Sequence, residues 1–327
     1  MKKMIVRADD VGFSPVNDIG AFEAITDGIV TAADVMMDCP GTVEALKKLK
    51  EMPWISVGWH THMWGFPVSD SSKVQTLIVH DGPFSGRFRP DLKFAEDVLF
   101  EEILLELRTQ IERCVTILGR APSTGGAIKS GNMTPYGRAF RQVCEEYGIA
   151  LNIARREPQN PDVWADIERA KNAGEEWAQF YKKPLGEELP DEKWAHRKII
   201  IADASVAYRA LNTDSVADVE NNYNPVEYYT KDQGNLMRYP DDVIVEQSWH
   251  PGYIDYFVYR LGEWMGRPRA RHFTLCRAED VHALCSDELK QWIKDNKIEL
   301  MNYRDALYGT CEYQNHLRNT GSDLFMR

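Results

Sequence analysis

Over its first 150 residues the chain keeps changing period. Short apolar runs of strand length alternate with stretches whose apolar residues recur every three or four positions. That alternation predicts an α/β fold on a parallel sheet, either open or closed into a barrel. Met4 to Ala8 reads as a strand, and Ala21 to Thr26 as part of a helix stopped at Gly28. Ile29 to Met37 is a second strand, Thr42 to Lys50 a second helix, and Ile55 to His60 a third strand. Phe94 to Leu118 reads as a long amphipathic helix with Leu99, Ile103, Leu107, Ile111, Cys114 and Leu118 on one face. Thr134 to Tyr147 is another helix, closed by Gly148 before the strand-like Ile149 to Ile153.

From about 155 to 242 the rhythm weakens, and charge, Asn, Pro and Tyr accumulate. This segment holds one clear strand, Lys198 to Ala202, and a polar helical stretch around Ile167 to Tyr181. It is too long for a structureless loop, so it reads as an insertion suited to covering one face of a single domain. Tyr223, Tyr228 and Tyr229, set amid Asn and Asp, suit a lid or a homo-oligomer contact, and the sequence does not choose between them. Order returns with a strand from Val243 to Glu246 and helical residues from Val281 to Asn296, broken near Ser286. A last strand, Ile298 to Met301, precedes a short helix from Tyr303, and the polar residues from about 312 onward read as a loosely held tail.

Charge narrows the functional classes. With 39 basic and 50 acidic side chains the net charge is −11, which argues against nucleic acid and against anionic lipid as partners. No stretch approaches the roughly 20 apolar residues of a membrane-spanning helix. The chain starts without a long apolar segment, and its six cysteines form no C-x-x-C pair, so it reads as a cytoplasmic protein with reduced thiols.

Three segments carry candidate chemistry, each at the end of an expected strand, where parallel sheets place functional groups. In the first, Arg7-Ala8-Asp9-Asp10-Val11-Gly12, neighbouring strand residues point to opposite faces. Both carboxylates serve one site only if the backbone bends there, and Gly12 permits the bend. A solvated turn capping a helix is the alternative. In the second, Gly58-Trp59-His60-Thr61-His62, alternate residues share a face, so Gly58, His60 and His62 point together while Val57 and Trp59 point away. Two imidazoles so placed are half of a divalent-metal site, which an aspartate from another strand would extend. A pair of surface histidines is the bland reading. In the third, Trp249-His250-Pro251-Gly252, the Pro-Gly turn presents an imidazole suited to general acid work, or one that only braces the turn.

Taken together the segments resemble the YdjC-like carbohydrate deacetylase family, which includes chitooligosaccharide deacetylases. The resemblance rests on A-D-D-V-G-F-S at residues 8–14, Asn17, Ile19-Gly20, Gly28-Ile29-Val30, Val35-Met36-Met37, Val57-Gly58-Trp59-His60, Asp81-Gly82-Pro83-Phe84 and His250-Pro251-Gly252. It covers roughly residues 1–155 and 242–308. The resemblance implies a distorted (β/α) barrel, TIM-barrel-like, that holds a divalent metal and hydrolyses the N-acetyl group of an amino sugar. It assigns Asp9 as general base, with Asp10 and His60 as metal ligands. His250 is then placed to protonate the departing amine.

The chain departs from the family at one place. The family's histidine-rich segment, P-x-H-x-D-x-H-x-H-x-H-x-x-P, supplies a further ligand, but between Pro122 and Pro135 this chain has Thr124, Gly126, Ile128, Ser130 and Asn132 at those positions. His62 is the substitute we expect as third ligand, a set that suits zinc better than magnesium. The expected partner is a small carbohydrate. Trp64 and Trp249 are candidates for stacking on a sugar ring. Two alternatives stay open: a carbohydrate-binding or regulatory protein on the same scaffold, and a hydrolase acting on a related amide or ester. In the alternatives, the glycine-rich Thr124-Gly125-Gly126-Ala127 and Lys129-Ser130-Gly131-Asn132 would supply hydrogen bonds to a polar ligand.

Overall fold

The computed structural model describes residues 1–125, 134–151, 153–157, 169, 172–174, 199–202, 215–232, 236–264 and 272–326. Strand β1 (Lys2–Val11) leads into helix α1 (Pro15–Thr26), β2 (Ala32–Val35) into α2 (Thr42–Lys50), and β3 (Ser56–Trp59) through a long loop into α3 (Phe100–Leu118). Next come β4 (Thr124–Gly125), α4 (Pro135–Glu146), β5 (Ala154–Glu157) and β6 (Ile199–Ala202). Short helices α5 (Val216–Asn222) and α6 (Pro225–Thr230) precede β7 (Ile244–Trp249), α7 (Tyr256–Tyr259) and α8 (Leu261–Trp264). The chain then forms α9 (His272–Cys285), α10 (Asp287–Asp295), β8 (Ile298–Leu300), α11 (Tyr303–Tyr308) and α12 (Glu312–Thr320).

The strands are parallel and pair in the order β4-β3-β2-β1-β7-β6-β5, with β8 beside the first residues of β1. Ala150, just before β5, bridges to Thr124 in β4, so the ladder curls round on itself as a distorted barrel. The sequence expectation of a parallel α/β barrel is met. Strand parity then separates two cores. Met4, Val6 and Ala8, with Val57, Trp59 and Trp249, face the helices in one continuous cluster. Ile5, Ala32, Ile199, Ile244, Met301 and Tyr303 fill the barrel interior.

Local chemistry fixes the element ends. Ser14 caps α1 with Pro15 at its first position, Thr134 caps α4 ahead of Pro135, and Ser286 caps α10, which is the break expected near that residue. Gly119 ends α3 in the left-handed region. The long helix begins at Phe100 rather than Phe94, because Leu99 at its N-cap is extended and the residues before it belong to the loop.

Two other expectations need correction. Strands β5 and β6, inside the stretch read as an insertion, are rungs of the barrel ladder, and α6 packs on α10. The polar helical stretch near Ile167 to Tyr181 lies mostly outside the described residues. The residues from 312 onward form a docked helix, not a loose tail: Tyr313, Gln314, Leu317 and Leu324 are buried, and Asp305 accepts the backbone N–H of Glu312 and of Tyr313. Polarity misled here because the apolar residues are few and widely spaced. Among the described residues no helix is long and apolar enough to cross a membrane.

Candidate active site

The site begins with a bend. Pairing between β1 and β2 shifts between Ala8 and Val11, Asp10 takes a φ of 61° and Gly12 one of 87°. A left-handed aspartate is tolerated where the surroundings fix it. A Cβ on Gly12 would stand 3.1 Å from the Met36 carbonyl oxygen and from Thr42 Cα, besides needing that strained φ. The bend brings both adjacent carboxylates to the mouth of the barrel, as the expectation for Asp9 and Asp10 required.

His60 follows β3, its N–H donating to the Val35 carbonyl, and its ring meets that of His62 edge-on at 4.2 Å. His60 Nε2 lies 3.0 Å and His62 Nε2 3.8 Å from Asp10 Oδ1. Ligand-type atoms of Asp10, His60 and His62 all fall within 4.8 Å of one another. Asp10 Oδ1 and His60 Nε2 are buried and, although close, are not aligned to hydrogen-bond each other or any other described residue. Unsatisfied buried polar atoms are rare. Two atoms at this separation suit neighbouring ligands of one ion at bonds of about 2.1 Å, and one carboxylate with two imidazoles is the donor set of a three-ligand catalytic zinc site. The residues therefore fit a divalent metal.

A second trio, Asp9, Asp34 and His60, is equally close. Here a cation is already in place: Arg7 Nε lies 2.6 Å from Asp9 Oδ1 and 3.6 Å from Asp34 Oδ2, and Arg7 Nη1 lies 2.8 Å from Glu246 Oε1. Arg7, Asp9 and Asp34 share the inward parity of β1 and β2, so this layer of charge lies directly on the apolar interior.

Protonation follows from these neighbours. Burial alone would raise the Asp9 pKa, but Arg7 outweighs it and holds the carboxylate below its ordinary range. Asp10 is likewise held low, with Arg277 overcoming burial. Burial works against a charged His60, yet the charge of Asp9 and the closeness of Asp10 and Asp34 push its pKa up to about 10. His62 is depressed by burial and then by His60 and Lys93, so it is neutral, whereas His60 would have to release its proton on taking an ion. Burial also lowers His250, against the pull of Asp10 and Asp9.

His250 Nε2 lies 3.8 Å from Asp9 Oδ2. Its backbone N–H donates to Asp280 at 3.0 Å, and the N–H of Gly252 donates to the Arg277 carbonyl at 3.2 Å, so α9 holds this turn. A Cβ on Gly252 would fall 2.1 Å from Asn17 Oδ1. Asp9, Asp10, His60, His62 and His250 are thus brought together.

The expected sugar platforms are placed differently. Trp249 is buried in the outer core, stacked on Tyr229 and donating to its hydroxyl, so it is not open to a ligand. Trp64 lies against His62. Trp59 faces the helices as expected, 4.8 Å from Phe140. Tyr228 and Tyr229 are buried rather than forming a lid. Of the Pro122–Pro135 frame, Thr124 and Gly125 form β4, and residues 126–133 lie outside the described residues. Sequence reasoning missed Arg7, Asp34, Glu246 and Arg277. Asp34 left a trace, a charge inside the apolar run Ala32-Ala33-Asp34-Val35 on the same parity as Ala32. Arg277 left none.

Comparison with known proteins gives one family. The model for YdjC-like protein matches residues 3–295, running through the 155–242 stretch that the motifs leave uncovered. A carbohydrate deacetylase 2 of Listeria innocua is 24% identical over 93% of this chain and 98% of its own length. A chitooligosaccharide deacetylase of Yersinia enterocolitica is 28% identical over 95% of this chain and 99% of its own. A solved Enterococcus faecalis structure, of a protein to which cellobiose-phosphate cleavage has been attributed, superposes with a TM-score of 0.57 at 19% identity, covering 93% of this chain and 98% of its own. That likeness supports the fold.

Proposed function

The chain belongs to the YdjC-like family, and from that premise we propose that it is a metal-dependent hydrolase that removes an N-acetyl group from an amino sugar or short oligosaccharide. The observation that carries the reading is the convergence of Asp10, His60 and His62, with Asp10 Oδ1 and His60 Nε2 buried 3.0 Å apart and neither making an aligned hydrogen bond among the described residues. The names of its relatives point to the same substrate class.

In this reading Asp10, His60 and His62 hold the ion, and two imidazoles favour zinc over magnesium. A divalent ion supplies acidified water and a polarised acetyl carbonyl. Asp9, ionised throughout the working range and steadied by Arg7, takes the proton from the attacking water. His250, neutral near pH 7 and beside Asp9 Oδ2, is placed to receive that proton and deliver it to the departing amine. Asp34, 3.7 Å from His60 Nδ1, keeps the His60 ring turned toward Asp10.

The test couples metal analysis of the purified protein to acetate release from chitobiose. Zinc near one equivalent, and turnover lost in Asp9→Asn, support the proposal. Sugar binding with neither metal nor turnover would instead favour a carbohydrate-binding protein on this scaffold.

A further inference from the structure

The two carboxylate oxygens of Asp10 are in different situations. Oδ2 accepts a hydrogen bond from Arg277 Nη2, while Oδ1 faces His60 and His62 with no hydrogen-bond partner among the described residues. Arg277 is far away in sequence, on α9, and both side chains of the pair are 2% exposed. Its guanidinium lies over the ring of Phe13, 5.6 Å from the centroid, and its Nε and Nη1 have no hydrogen-bond partner among the described residues.

Burying a guanidinium with two idle nitrogens is unfavourable, and the charge-assisted bond to Asp10 is what offsets it. The backbone of the same helical turn anchors the loop of His250, through the Arg277 carbonyl and Asp280. Asp10 and the His250 turn are therefore tied to one rigid element, although they come from different strands. Asp10 has a left-handed backbone, and Arg277 holds its side chain from a separate element.

Resting on the metal-hydrolase reading, we infer that Arg277 is a positioning residue: by occupying Oδ2 it makes Asp10 offer Oδ1 alone to the ion. Simple electrostatics has the opposite sign. A cation beside a cation weakens binding, so if Arg277 acted only through its charge, removing it would tighten metal binding. If it acts by holding Asp10, removing it loosens binding, as loss of an outer partner of a ligand generally does.

The experiment is calorimetric titration of the full chain, stripped of metal, with zinc alone. The variants are Arg277→Gln, Arg277→Lys and His60→Ala. We expect Arg277→Gln to lose roughly 10- to 100-fold in zinc affinity, and Arg277→Lys, which keeps a donor and the charge, to lose less. Affinity equal to or above wild type in Arg277→Gln, with binding lost in His60→Ala, overturns the inference and leaves the metal site standing. Wild-type binding in His60→Ala instead overturns the metal-site reading. Removing one member of a buried pair can prevent folding. If Arg277→Gln does not fold, Arg277→Lys decides, and unchanged zinc affinity in that variant overturns the inference.

Discussion

Trp64 lies flat on His62, the ring centroids 3.9 Å apart and the planes within 5°. His60 meets His62 edge-on from another side, so the imidazole is restrained from two directions. His62 stands beyond the end of β3, where no ladder hydrogen bond among the described residues fixes it, and the stack does that work. Trp64→Ala is expected to weaken zinc binding roughly tenfold, as loss of an outer contact to a ligand does. In a His62→Ala background the same change should add almost nothing, and a double-mutant cycle on zinc affinity measures the coupling. Additive effects would show that the tryptophan does not act through His62.

Arg7 sets the protonation of Asp9. Burial favours the neutral acid and Arg7 the carboxylate, and the arginine prevails. With Arg7→Gln the burial remains and the opposing charge is gone, so the Asp9 pKa rises. The acid limb of the pH profile of kcat/KM is expected to move to higher pH, with Arg7→Lys in between. An unmoved acid limb would mean that Asp9 does not control it.

Asp18 makes folding pH-dependent in the direction opposite to a salt-bridged acid. Burial raises its pKa to about 7, although the N–H of Gly12 donates to Oδ1 at 2.8 Å. Above its unfolded value the unfolded chain ionises while the folded one keeps its proton, so stability falls as pH rises from about 4 toward 7, by at most about 1.4 kcal/mol per pH unit from this group. Asp18→Asn keeps the acceptor and removes the titration. Denaturant melts at pH 5 and pH 7 should show the variant gaining on wild type at the higher pH. Asp38, raised by burial to about 6, leaves a residual slope in both.

The C-terminal helix is part of the core. Tyr313 is buried, and Gln314 donates to the carbonyl of Leu300 in β8 at 2.8 Å. Tyr313→Ala is expected to cost about 3 kcal/mol in denaturant unfolding, in line with other buried aromatic truncations. A loss below about 0.5 kcal/mol, usual for an exposed position, would contradict the docking.

What was legible in the sequence follows from what is local. Strand parity placed His60 inward and Trp59 outward, the Ser286 cap ended one helix and began the next, and Gly12 signalled the bend beside Asp10. The cues that failed were also local. Glu312 to Thr320 has too few apolar residues to announce a buried face, and its docking depends on Asp305 and Leu300, which only the folded chain brings near. Arg277 sits in a helix whose periodicity says nothing of a carboxylate at the end of β1. Trp249 looked like a platform because it adjoins His250, but the same parity that turns Trp59 outward turns Trp249 away from the barrel mouth. Adjacent residues on a strand are poor guides to a shared site unless the backbone bends.

Among the described residues, Tyr303, Ile5, Ala32, Ile244 and Met301 close the barrel interior beneath the charged layer, so a ligand reaching Asp9 and Asp10 does not pass through from that side. If a substrate enters acyl group first, a deacetylation carried out there leaves the acyl fragment deeper than the sugar. Traffic is then last in, first out: the sugar departs before acetate can. Acetate then meets the vacant enzyme and should inhibit competitively against the acetylated sugar, while the free amine should not.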